Sequence, residues 1–126
     1  MSYAKAAQAY QRNAVMTASP EKIIQMLYDA AIRHLEQSRE ALANPATTHS
    51  AQVGVSLGKA LSIIGELRSV LDYDKGGEIA ENLGTLYEYS IEQLTQANLT
   101  RSPEHIDPPL RVMRTLKEGW DGIIPN

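Results

Sequence analysis

Three histidines, two aspartates and two glutamates are the residues that could carry chemistry in this chain, and their spacing argues against it. His34, His49 and His105 stand far apart. None has a second histidine at metal-ligand spacing, and no Glu-x-x-His motif occurs. His34 falls near the edge of an apolar helical stripe, where a hydrogen-bonded structural histidine is expected. As a phosphotransfer nucleophile it would want lysine and glycine in a His-x-x-Lys-Gly pattern, but the chain reads His34-Leu35-Glu36-Gln37-Ser38. Asp72 and Asp74 faintly suggest a calcium loop. Counted from Asp72, the required glycine falls on Gly77, but the position of the bidentate glutamate falls on Leu83. Glu78 and Glu81 follow a double glycine, where acidic side chains complement a helix dipole better than they form an acid/base pair. Cysteine is absent, which removes thiolate chemistry, disulfides and cysteine-ligated metals. No phosphate-binding loop or nucleophile elbow is present. The residues point away from an enzyme, and no cofactor or metal is expected.

The chain is 126 residues long, enough for one domain with a real core. Its apolar content of 43% fits a globular protein, and with no phenylalanine it rests on Leu, Ile, Val and Ala, which suits helix-on-helix packing. A net charge of −3 gives little attraction to a phosphate backbone, so nucleic acid is not an expected partner. No stretch has the length and apolarity of a signal sequence or a membrane span, and the expected location is the cytoplasm.

Four periodic segments would position any site. The first helix is expected from Ser19-Pro20, an N-cap followed by proline at the first helical position, to Asn44-Pro45. Ile23, Ile24, Leu27, Ala31, Leu35 and Leu42 form its stripe. The second runs from about Ser50 to Asp72 on Val53, Leu57, Leu61, Ile64, Leu67 and Leu71. Gly54, Gly58 and Gly65 share one flank of it, which suggests either close approach of a neighbouring helix or a shallow groove for a foreign one. Gly76-Gly77 is expected to supply the left-handed backbone that turns the chain. The third helix then spans about Glu78 to Asn98 on Ile79, Leu83, Leu86, Tyr87, Leu94 and Ala97. After a break at Thr100 to Pro109, Asp107 is a plausible N-cap for a fourth helix carrying Leu110, Met113, Leu116 and Trp120 to about Gly122. The prediction is an all-α, antiparallel up-down-up-down four-helix bundle over residues 18–126. Residues 1–17 precede it as a mobile segment able to cap it.

The apolar content exceeds one stripe per helix. Met26, Ile32, Val55, Tyr89, Ile91 and Val112 lie outside or at the margin of their stripes, and Ile63 lies beside its own. Several such residues on adjacent helices would merge into a patch, and patches beyond a few hundred Å² usually mark a binding site. Tyr10, with an apolar ring and a polar tip, would anchor residues 1–17 over that patch when it is empty. These eight residues are the candidate partner-binding set. A generic helical adaptor with an unspecified client fits the composition equally well.

The motifs narrow this. Tyr10, the run TASPEKIIQMLYDAAIRHL (Thr17 to Leu35), the run LDYDKGGEIAENLGTLYEY (Leu71 to Tyr89) and LKEGW (Leu116 to Trp120) together resemble the FliS family, flagellin-specific export chaperones of the flagellar type III secretion system. The resemblance covers almost the whole chain. It departs at Gly119, where the family usually has a larger residue, and at Pro108-Pro109, which would start the fourth helix later. It implies a four-helix bundle with an N-terminal cap over a hydrophobic surface, and a client that is the disordered C-terminal region of flagellin. It also implies prevention of premature flagellin polymerisation in the cytoplasm and delivery to the cytosolic domain of the export gate. Some family members also bind an anti-sigma factor or a co-chaperone.

Overall fold

The computed structural model describes residues 20–123, so Tyr10, Ser19 and the whole of the expected cap at 1–17 lie outside the described residues. Four α-helices and one short 3-10 turn make up the described chain: α1 (Pro20–Ala43), α2 (Ala51–Ser69), α3 (Tyr73–Thr100), the 3-10 turn (Pro103–Ile106) and α4 (Asp107–Ile123). Helix α1 packs beside α2 and α4, and α3 beside the same two, so α1 and α3 face each other across the bundle diagonal. Short connections between sequential neighbours give the predicted up-down-up-down order.

The core follows the predicted stripes on α1, α2 and α4: Ala31, Leu35 and Leu42, then Val53, Leu57, Ile64 and Leu67, then Leu110 and Met113 are all buried. Two expectations fail on α3. Ile79 is 72% exposed and Leu86 38% exposed, although both were assigned to its stripe. The buried line is instead Ala80, Gly84, Tyr87, Ser90, Leu94 and Ala97. Small residues at the inner positions let α3 approach its neighbours closely, and the larger apolar residues beside them are left outside.

The second helix also ends earlier than expected. It closes at Val70, where the amide of Val70 donates to Glu66 O at 3.2 Å and that of Leu71 to Arg68 O at 3.2 Å. Asp72 then caps α3, its Oδ1 accepting from the Lys75 amide at 3.0 Å. Gly77 does adopt positive φ (φ 51°, ψ −126°), but it breaks α3 after one turn and does not terminate α2. Nor does close packing explain the glycines of α2. A β-carbon on Gly58 or Gly65 would meet nothing within 4 Å, and one on Gly54 would meet only Arg101 and Asn98 at 3.9 Å. Asp107 is not an N-cap. It has helical backbone angles (φ −59°, ψ −47°), and the preceding 3-10 turn lets α4 begin before Pro108-Pro109.

The end of the bundle that holds the α1–α2 loop is fastened by hydrogen bonds. Thr47 and Thr48 hydroxyls donate to Ala41 O (2.6 Å) and Leu42 O (2.9 Å), which α1 leaves without helical partners. Arg101, in the left-handed region at φ 57°, closes α3 and donates from Nη1 to Ser50 O at 2.9 Å and Thr48 O at 3.3 Å. Its Nε also donates to Asn98 O at 3.0 Å.

Candidate functional site

One side of the bundle is laced shut. Along the α1–α4 seam Arg39 grips Asp107 with two nitrogens, at 2.7 and 3.4 Å. Arg114 reaches Glu36 at 3.2 Å, Lys117 reaches Asp29 at 3.3 Å, and Gln25 donates to Asp121. Exposed pairs of this kind contribute little stability each, on the order of 0–1 kcal/mol. Their order along the two helices does fix the antiparallel register, and it fills that seam with polar groups.

The seam between α3 and α4 is different. A depression of about 240 Å³ opens there between Leu86, Arg111, Val112, Thr115 and Leu116. Val112, one of the candidate residues, lines it. Tyr89, another, is exposed three residues beyond Leu86 and so continues the same side of α3 by one turn.

A larger apolar cavity of about 400 Å³ lies at the bundle end opposite Arg101. Ile24 and Tyr28 of α1, Leu67 of α2, Ile79, Leu83 and Tyr87 of α3, and Trp120 of α4 contribute to its lining, and Val70 to Asp72 form part of its wall. Its floor is polar in one place. The Tyr28 and Tyr87 hydroxyl oxygens stand 2.5 Å apart across the diagonal, and Trp120 Nε1 donates to the Tyr28 oxygen at 3.3 Å. Burial, reinforced by the hydrogen bond to Tyr28, pushes the Tyr87 hydroxyl well above its ordinary value, so it keeps its proton. Beside the cavity the Tyr73 hydroxyl lies against Gly84.

The structure separates the candidate residues. Ile32, Ile63, Ile91 and Val112 are partly buried against the core, and Met26 is half-buried on α1. Val55 and Tyr89 are exposed on α2 and α3. None of the seven described candidates lines the end cavity. The residues at its mouth that sequence reasoning passed over, Val70 and Ile79, are 58% and 72% exposed. The available signal was the run of small residues at Ala80 and Gly84, which shifts the buried line of α3 away from Ile79. His34, expected to be satisfied, has a buried Nδ1 without a hydrogen-bond partner among the described residues.

Among the described residues the bundle presents apolar depressions on one seam and at one end. Comparison with known proteins shows what kind of protein carries them. A family model described as Flagellar protein FliS matches residues 3–126. The chain belongs to the FliS family. It is 41% identical over 122 residues to the flagellar secretion chaperone FliS of Vibrio cholerae, covering 94% of this chain and 88% of that protein. To the flagellar secretion chaperone FliS of Salmonella typhimurium it is 39% identical over 120 residues, covering 94% and 87%. A solved structure described as a flagellar chaperone from bacteria superposes with a TM-score of 0.74 at 26% identity, covering 92% of this chain and 94% of that one. As a member of that family it is a flagellar export chaperone and not an enzyme. No helix among its described residues is long and apolar enough to cross a membrane.

Proposed function

We propose that this chaperone holds the disordered C-terminal region of flagellin on its apolar surface in the cytoplasm, prevents its premature polymerisation, and keeps it competent for export. The observation that carries the proposal is the pairing of exposed Leu86 and Tyr89 on the α3–α4 side with exposed Val70 and Ile79 at the end cavity. A disordered client that orders on binding must bury a large surface, commonly ~1,000–3,000 Å², to offset the entropy it loses. Depressions distributed over two sides of one rigid bundle suit a chain that wraps.

In the same proposal residues 1–17 are a displaceable cap anchored by Tyr10, and the bundle proper occupies 18–126. A cap lowers apparent affinity by the fraction of molecules it closes, and shields apolar surface until a client arrives. Met26, Ile32, Val55, Ile63, Tyr89, Ile91 and Val112 are proposed client contacts, with delivery to the cytosolic domain of the export gate following. Family resemblance supports an anti-sigma factor or a co-chaperone as further partners.

Titrating the full chain with a peptide of the cognate flagellin C-terminal region tests this. A one-to-one complex at micromolar or lower concentration, with a gain in helical circular dichroism, is the expected result. Absence of both heat and helicity change sinks the proposal. Tyr10→Ala should change peptide affinity and leave the melting temperature nearly unchanged.

A further inference from the structure

The chain that joins α2 to the straight part of α3 is weakly held. Every residue from 72 to 79 is exposed. Two hydrogen bonds close its single helical turn, from the Lys75 amide to Asp72 Oδ1 at 3.0 Å and from the Gly76 amide to Asp72 O at 2.7 Å. Both begin and end within the stretch, so neither ties it to the bundle. Asp72, Asp74 and Lys75 join no ion pair among the described residues. The turn meets the body of α3 at Gly84, where Leu71 Cδ1 and the Tyr73 ring rest. Tyr73 is 49% exposed, so leaving that seat uncovers only the other half of its surface.

The turn can pivot at both flanks. Gly77 stands at φ 51° and ψ −126°, outside helical geometry, and glycine passes between positive and negative φ at little cost. On the other flank α2 has already closed at Val70. A helix of one turn does not persist in water by itself, so a turn that leaves Gly84 unwinds. The same stretch is a wall of the end cavity: Leu71, Asp72, Lys75 and Gly76 line it, and Trp120 of α4 is part of the remaining lining.

We propose that residues 71–77 are a strap with two positions. Latched, with Tyr73 seated against Gly84, the strap walls the end cavity. Released, it unwinds about Gly77 and opens that wall, while α2 and the rest of α3 stay in place. Tyr73 is the clasp, and the missing β-carbon of Gly84 is its seat. The strap sets the size of group that the cavity admits, whatever that group is, and so stands apart from the identity of the client.

Amide hydrogen exchange of the full chain, with acrylamide quenching of Trp120, the only tryptophan, tests the inference. In the wild-type chain the Lys75 and Gly76 amides should exchange at least about tenfold faster than that of Leu94, which is buried in the same helix. Gly77→Ala strains the latched position alone, and Tyr73→Ala removes the clasp. Each should speed exchange at Lys75 and Gly76 about tenfold and make Trp120 easier to quench, with helical circular dichroism nearly unchanged. Exchange at Lys75 and Gly76 as slow as at Leu94 means that the turn opens only when the bundle unfolds, and overturns the inference. Unchanged Trp120 quenching in both variants overturns it as well. Either result leaves the chaperone reading intact. If the variants fail to fold, exchange in the wild-type chain decides.

Discussion

The Tyr73 hydroxyl lies 2.7 Å from the point where a β-carbon on Gly84 would stand. A buried glycine in the interior of a 28-residue helix is unfavourable by roughly 1 kcal/mol against alanine, and here it makes room for a ring. Because that ring is the flexible end of a half-exposed side chain, Gly84→Ala should move the tyrosine rather than unfold the protein. Chemical denaturation should place the variant within about 1 kcal/mol of wild type, since the gain in helix propensity offsets the lost contact. Limited proteolysis should cut faster between residues 70 and 78, where Tyr73 no longer holds the turn against α3.

Gly77 and Gly58 should respond in opposite directions. Gly77 has φ 51° and ψ −126°, a combination that L side chains rarely adopt, so Gly77→Ala should cost about 1–3 kcal/mol. Gly58 sits within α2 with open space around its missing β-carbon, and Gly58→Ala should add about 0.5–1 kcal/mol. Melting curves of the two variants on either side of wild type would establish this; a shift of both in the same direction would not.

Arg101 combines an unfavourable backbone with favourable side-chain bonds. Arg101→Ala keeps the left-handed φ of 57° and loses the donors to Thr48 O and Ser50 O, and should cost about 1–3 kcal/mol. Arg101→Gly loses the same bonds and relieves the backbone by about 1 kcal/mol. The glycine variant should therefore melt above the alanine variant and below wild type.

His34 gives the fold a pH dependence of definite sign. Burial first, then the charge of Arg33, lowers its pKa below the ordinary 6.5; a hydrogen bond from the imidazole to Gln37 opposes this and Lys59 adds to the lowering. The folded chain keeps the imidazole neutral while the unfolded chain takes up a proton below pH 6.5, so stability falls as pH drops through that value. Above it, this residue contributes no slope. His34→Gln should flatten the loss of melting temperature between about pH 7 and pH 5.

The bundle was legible because Leu35, Leu57, Ile64, Leu67 and Leu110 repeat at helical spacing and each is buried. Asn44-Pro45 likewise marked the end of α1 within a residue or two. What failed on α3 failed for one reason. Its inner face is written in Ala80, Gly84 and Ser90, which carry little hydrophobic signal, so the larger Ile79 and Leu86 were read as core. The end cavity was hidden for the same reason and for another: Tyr28, Tyr87 and Trp120 come from three helices, and only the diagonal packing brings their polar atoms together. Partners such as Arg39 and Asp107 are 68 residues apart, and charge alone does not select one carboxylate among fifteen.

The two ends of this bundle are joined unequally. At one, Arg101 and two threonines tie loop to helix through side-chain bonds to backbone carbonyls. At the other, a one-turn helix hinged at Gly77 walls a cavity. Local opening therefore starts at the hinged end and stops at the tied one, because cooperative units yield in order of their own stability.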